Sequence, residues 1–164
     1  MSTLAPPVIL PADDRHLDRM MAVMRASFDP GFGEAWTTMQ MAGGLSLDGN
    51  FARRAVDPSD GSGERLLGFS LSRAVLDEAE LLLVAVVPLA RGLGIGRGLV
   101  DQALLDSRRR GCGRMFLEVR ENNHAARQLY HGCGFFDIGR RINYYSGSDG
   151  ARFAAITMQR HLID

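Results

Sequence analysis

Residues 91–97, RGLGIGR, set three glycines and two arginines immediately before an apolar helical pattern. A strand that ends near Pro88 and re-enters as a helix near Ile95 aims the unpaired amides of the helix N-terminus into the turn between them. Such a turn favours an anion. Glycine there admits positive φ and removes the Cβ atoms that would hold a phosphate off the backbone, so a pyrophosphate can accept several N–H bonds at once. Two phosphate-binding patterns fit poorly. A nucleotide-hydrolysing loop needs Gly-Lys followed by Ser or Thr, and GIGRGL has neither. A dinucleotide fold places its glycine fingerprint after the first strand of a parallel sheet, with an acidic residue about twenty positions on; this turn comes mid-chain, after what reads as an antiparallel front half. Taken alone, the turn also fits a strand-to-helix connection that binds nothing.

The other reactive side chains are sparse. Cys112 and Cys133 each sit beside glycine and show no metal-ligand spacing with each other or with the four histidines, so no metal is expected. All 19 basic residues are arginine, against 19 acidic residues, so an arginine by itself says little here. The balance gives no global field for nucleic acid or an anionic membrane. The arginines at 108–110 read as a basic helix end that complements the dipole, without interleaved aromatics.

The elements that must position this chemistry follow from periodicity. After a short VIL strand, residues 13–28 place Leu17, Met20, Met21, Met24 and Phe28 at helical spacing, with Asp13 as an N-cap. The methionines read as core filler. DPGFGEAW breaks that helix, and EAWTTMQMA reads as a second one that stops before Gly43 and Gly44. From 45 to 87 the period shortens to that of strands, around LSL, NFARRAV, RLLGFSLSRAVL and EAELLLVAVV, with DPSDGSGE as a solvated hairpin turn. The nearly continuous apolar run at 79–87 belongs at the centre of a sheet. Residues 95–110 read as a helix closed by Gly111, 114–120 as a strand, 123–134 as a helix, and FFDIGRRINYY and ARFAAITMQRHL as two strands joined by SGSDG.

At 164 residues with 46% hydrophobic content, the chain reads as one domain, 1–164, of mixed α/β class. The N-terminal stretch lacks a basic segment followed by a long apolar run, and LLLVAVVPLA is too short to span a bilayer. A reduced, cytoplasmic protein is the expectation, with no membrane or nucleic-acid partner. Oligomeric state is not legible.

The form Arg-x-x-Gly-x-Gly in RGLGIG, after an AVVP strand end and followed by LEVRENNHAARQLYHGCGF, resembles the GNAT superfamily of acyl-CoA-dependent N-acetyltransferases, and within it the ribosomal-protein alanine N-acetyltransferase branch. The resemblance runs from about Glu78 to Met158. It implies a central, mostly antiparallel twisted sheet of six to seven strands flanked by about four helices, and acetyl-CoA as cosubstrate without a metal. It further implies that Val84, Ala85 and Val86 hold the pantetheine arm and acetyl carbonyl through a splayed strand, one amide acting as an oxyanion donor. The pyrophosphate would lie on Arg91, Gly92, Leu93, Gly94, Ile95, Gly96 and Arg97, and Asn123 would contribute its side-chain amide. Gly92 stands where many members carry a basic residue, and Val87 replaces a common aspartate.

By the same resemblance Glu118 is the base and Tyr130 the acid, with Glu80 the competing base as in histone-type members. Tyr144 and Tyr145, in RRINYY, and Phe32, in FDPGFGEAW, would bear on the acceptor. The residues themselves admit plainer readings: Glu118 could pair with Arg120 or Arg73, Tyr130 could be a packed aromatic, and Asn123 could be an N-cap. Direct aminolysis of a thioester needs an amine without its extra proton, which an α-amine (pKa about 8) surrenders more readily than lysine (about 10.4). The implied acceptor is a protein or peptide N-terminus. The alternatives are a small amine, such as a polyamine or aminoglycoside, or a CoA-binding module without turnover.

Overall fold

The computed structural model describes residues 5–62 and 65–163. Residues 1–4 of the N-terminal stretch and 63–64 of the DPSDGSGE turn lie outside them, as does Asp164. The elements run β1 (Val8–Ala12), α1 (Leu17–Ser27), α2 (Thr38–Ser46), β2 (Asn50–Val56), β3 (Leu66–Val75), β4 (Glu78–Val86), α3 (Ile95–Arg109), β5 (Arg114–Arg120), α4 (His124–Gly132), β6 (Phe136–Ser146) and β7 (Arg152–His161). One seven-stranded sheet has the order β1-β2-β3-β4-β5-β7-β6, antiparallel throughout except where β4 meets β5. The expected mixed α/β class, strand number and helix number are all present.

Successive strand residues face opposite sides of a sheet, and β3 shows which helices cover which side. Phe69 packs in one cluster with Met20 and Met24 of α1 and Met41 of α2. At its neighbour Gly68, an added Cβ would lie 3.2 Å from Leu99 Cδ1 of α3. Helices α1 and α2 therefore cover one face, and α3 the other. A second cluster joins α3 to β5 and β7 through Leu104, Met115, Leu117 and Met158, and takes in Leu129 and Tyr130 of α4. The methionine-rich face of α1 is core, as its spacing predicts. Asp106 of α3 receives Arg53 of β2 in two hydrogen bonds of 2.7 and 2.8 Å, which fixes the helix across the sheet.

Two local expectations change. Asp13 caps a 3-10 turn, Asp14–His16, and the α-helix begins only at Leu17. Helix α2 starts later than expected, from a Thr37–Gln40 capping box, and runs through Gly43 and Gly44 to Ser46, so the LSL segment holds no strand. Its glycine is a packing device: a Cβ on Gly44 would lie 3.0 Å from the Trp36 ring and 3.2 Å from Leu71.

The feature that makes a site is the way β4 leaves β5. Parallel pairing lasts only from Glu78–Arg114 to Glu80–Phe116. Immediately beyond, β4 carries a bulge: Leu71 of β3 faces Leu83 and Ser72 faces Leu81, so Leu82 is the extra residue. A bulge sharpens the local twist, while β5 stays in register with β7 over its full length. The two central strands diverge, and the C-terminal half of β4 lines an opening rather than a ladder.

Candidate active site

That opening is a cavity of about 490 Å³ whose walls include the end of β4, the turn into α3, the start of α4 and the loop after α1. Val84, Ala85 and Val86 all line it, but their backbones differ. Val87 donates its N–H to the Leu67 carbonyl at 2.9 Å. Hydrogen-bonded pairs alternate along an antiparallel ladder, so the next such pair is Ala85 with Phe69. The backbone of Ala85 is thus committed to β3, while Val84 and Val86 turn theirs to the opening. The Val86 carbonyl already accepts Ser27 Oγ at 3.1 Å and Arg91 Nε at 3.2 Å. Both groups of Val84 and the amide of Val86 are the ones presented to a ligand.

The glycines of the turn do two jobs. Gly92 (φ +77) and Gly94 (φ +80) hold left-handed backbone, and a Cβ on either would meet nothing within 4 Å. Gly94 is the N-cap of α3 without a side-chain cap, so the first-turn amides of Ile95, Gly96 and Arg97 are presented at the cavity wall that these residues line. Gly96 and Gly98 instead permit close packing: a Cβ would lie 3.2 Å from Leu129 on the first and 2.9 Å from Ile9 on the second. Arg91 lines the cavity with its guanidinium braced on the Ser27 carbonyl at 2.9 Å, and Arg97 lines it while paired with Asp101 at 3.7 Å. Leu93 is 54% exposed and lies outside the lining.

Tyr130, on α4, lines the cavity and packs edge-on against Phe135 with ring centroids 6.0 Å apart. Burial pushes its hydroxyl well above the ordinary tyrosine range, with Cys133, Glu34 and Tyr145 adding in the same direction. A tyrosine so placed stays protonated and acts as a donor. Asn123 caps α4 by accepting the Ala126 N–H at 3.2 Å and also reaches the cavity wall.

The two carboxylates that the sequence resemblance puts forward lie elsewhere. Glu118 points from β5 to Arg141 of β6, which grips its Oε1 with both Nε (3.0 Å) and Nη2. Glu80 lies in the closed half of β4, opposite Phe116, and pairs with Arg73 of β3. Neither lines the cavity. The partners also differ from the expected ones, since Arg120 turns away from Glu118 to Glu34.

Glu34 is the carboxylate that does line it. It comes from the loop after α1, where Asp29 accepts the Gly31 N–H at 2.8 Å and starts a 3-10 turn, Pro30–Phe32. Arg120 donates Nη1 to Glu34 Oε1 and Nε to Asn122 Oδ1 (2.6 Å), and its guanidinium lies 3.5 Å from the centroid of Phe32. Phe32 packs edge-on with Phe153 of β7 at 5.7 Å, so loop and hairpin meet beside the cavity. Burial raises the Glu34 carboxyl above its ordinary value, while Arg120 opposes this. Tyr144 and Tyr145 stack at right angles 5.0 Å apart, with Arg141 over Tyr144. They stand outside the lining, on a widened part of β6 where Asn143 has positive φ and two residues exceed the register with β7. Burial, with the fields of Glu34 and Glu118, pushes Tyr145 up to about 12. Sequence does not single out Glu34, and it offers Arg120 only as a possible partner of Glu118; the two stand 86 positions apart, and no spacing rule joins them.

A profile of the Acetyltransferase (GNAT) family matches residues 20–135. The ribosomal protein bS18 alanine N-acetyltransferase of Haemophilus influenzae is 37% identical over 98 residues, which span 60% of this chain and 66% of that protein. The crystal structure of the ribosomal-protein-S18-alanine N-acetyltransferase of Escherichia coli superposes with a TM-score of 0.84 at 26% identity, covering 97% of this chain and 96% of that one. Arabidopsis thaliana NAA60, solved in complex with acetyl-CoA, shares the fold with a TM-score of 0.81 at 20% identity over 95% and 98% of the two chains. Among the described residues, no helix is long and apolar enough to cross a membrane.

Proposed function

The chain belongs to the GNAT acetyltransferase family, and from that premise we propose that it transfers acetyl from acetyl-CoA to a protein or peptide N-terminal α-amine by direct attack. The observation that carries the reading is one continuous cavity joining the positive-φ glycine turn, the free edge of β4 and Tyr130. The residues present fit the cosubstrate. Gly92 and Gly94 leave open space where a Cβ would stand, the first-turn amides of α3 point at it, and Arg91 and Arg97 add positive charge, which together suit a diphosphate. Val84 and Val86 offer the edge for an amide-bearing arm, and the remaining amide contacts would come from Asn123. The acceptor assignment is supported by relatives named as alanine N-acetyltransferases of a ribosomal protein, and in this reading Phe32, Tyr144 and Tyr145 are the residues that meet the incoming peptide.

In this reading Tyr130 serves the leaving thiolate. Its raised pKa makes it a hydrogen-bond donor that gives up a proton only as it receives another, so it relays the proton of the collapsing amine to sulfur. The amide of Val84 or Val86 supplies the donor for the developing oxyanion, typically about 3 kcal/mol of barrier. A carboxylate must take the first amine proton; Glu118 and Glu80 are the two candidates from sequence.

The test is CoA-thiol release from acetyl-CoA with peptides that begin with alanine or serine, free or N-terminally blocked, beside spermidine and an aminoglycoside. Release with the free peptides, abolished by blocking, is the expected result. Release with small amines alone would overturn the acceptor, and acetyl-CoA binding with no release in any arm would overturn catalysis.

A further inference from the structure

Three carboxylates compete for the amine proton, and the fold treats them differently. Glu80 is held by Arg73 where β4 and β5 are still paired, and Glu118 is held by Arg141 outside the cavity wall. Glu34 stands in that wall with Tyr130. Among the described residues its one hydrogen bond is from Arg120 Nη1 to Oε1, which leaves Oε2 to an incoming amine. Arg120 is itself fixed on two further sides, by Asn122 Oδ1 and the face of Phe32, and is 9% exposed. A carboxylate clamped through one oxygen by an immobile guanidinium is aimed, not merely neutralised.

We infer that Glu34, oriented by Arg120, is the base that receives the proton of the acceptor ammonium, in place of Glu118 or Glu80. This rests on the acetyl-transfer reading above. The ammonium gives one proton to Glu34 Oε2, and the freed nitrogen pair forms the N–C bond at the thioester carbonyl as the C=O π pair moves to oxygen. The oxyanion pair then re-forms the C=O bond as the C–S bond breaks, and the C–S pair leaves on sulfur, which takes the Tyr130 hydroxyl proton while that oxygen receives the second amine proton. Glu34 then returns its proton to water, so the sum is amide, thiol and one released proton. The groups facing Glu34 are Arg120 from β5, Asp29 from its own loop, Tyr130 from α4 and Tyr145 from β6. Burial and Asp29 raise its carboxyl and Arg120 lowers it, with burial the largest, which gives a stronger base than an exposed glutamate. Arg120 is a positioning residue.

The experiment measures kcat/KM for an alanine-initiated peptide from pH 5 to 9 in the wild type, E34Q, E34D and E118Q, with acetyl-CoA affinity by calorimetry on each preparation. E34Q should lose roughly 100-fold at pH 7. The deficit should narrow towards pH 9, where an α-amine of pKa about 8 is mostly neutral unaided. Acetyl-CoA affinity should stay within about twofold, since the glycine turn is untouched, and E34D should recover part of the rate. An equal loss at every pH with weakened acetyl-CoA binding would make Glu34 structural and overturn the inference, as would an acid limb kept by E34Q and lost by E118Q. A wild type silent toward every free N-terminus overturns the α-amine acceptor reading, and this inference with it.

Discussion

Replacing Gly94 by alanine separates the conformational role of the glycine turn from its role towards a ligand. Gly94 sits at φ 80, ψ 8, where an L-residue costs roughly 1–2 kcal/mol. A Cβ there meets nothing within 4 Å, so no clash adds to that strain. Alanine also narrows the unfolded ensemble, which returns about 0.4–1 kcal/mol. The net loss is about 1 kcal/mol, a fall in Tm of about 2–4 °C for a chain of this length. The new methyl group would project into the space assigned to the diphosphate. Losing one charge-assisted hydrogen bond there, about 1.5–3 kcal/mol, weakens acetyl-CoA binding roughly 10- to 100-fold. Gly111→Ala is the control: Gly111 has φ +83 and equally open space, yet lies outside the cavity lining, so it should lose similar stability and leave affinity unchanged. Scanning calorimetry gives Tm and isothermal titration gives the affinity. If Gly94→Ala shows the Tm drop with acetyl-CoA affinity within twofold of wild type, the turn is a structural connection and the cradle argument is wrong.

Three further outcomes are expected. Tyr130→Phe keeps the ring against Phe135 but removes the donor, so kcat should fall roughly 100-fold with both KM values nearly unchanged in steady-state kinetics. Leu99→Ala empties a fully buried position between α3 and β3 and should cost about 2–5 kcal/mol in urea unfolding. The Glu121 carboxylate is held below its ordinary value by the Ala154 N–H and then by Arg140, so its stabilisation is present above the unfolded pKa and lost as pH falls through the folded one. Glu121→Gln should accordingly be less stable than wild type at pH 7, the gap between their Tm values closing below about pH 4.

The elements were largely legible because their signals are local. The run ELLLVAVV declares a central strand through burial alone, and IGRGLVDQALLDS declares a helix through the positions that bury Ile95, Leu99, Val100 and Leu104. The glycine turn was legible as an anion site through residue type, although sequence alone grouped Gly96 with Gly92 and Gly94, and only packing against Leu129 separates it from them. The sequence pattern ends helix α2 before Gly43 because glycine reads as a stop, and the contacts of Gly44 with Trp36 and Leu71 override that propensity.

The carboxylates mark the boundary between the two kinds of information. Residue order and spacing determine the strand-turn-helix that presents Gly92, Gly94 and the α3 amides, and the helix that carries Tyr130, because each depends on neighbours within a few residues. Which arginine meets which glutamate is set by register and by distant segments. With 19 arginines and no lysine, every acidic residue has several plausible partners in sequence. Glu118 and Arg120 share a strand face two residues apart, yet one turns to Arg141 and the other to Glu34, across separations of 23 and 86 residues. The divergence of β4 from β5 belongs to the same class, since the Leu82 bulge exists only relative to the β3 register. Only the tertiary structure therefore decided which carboxylate faces the cavity, because pairing a buried charge is a property of the three-dimensional neighbourhood and not of the chain.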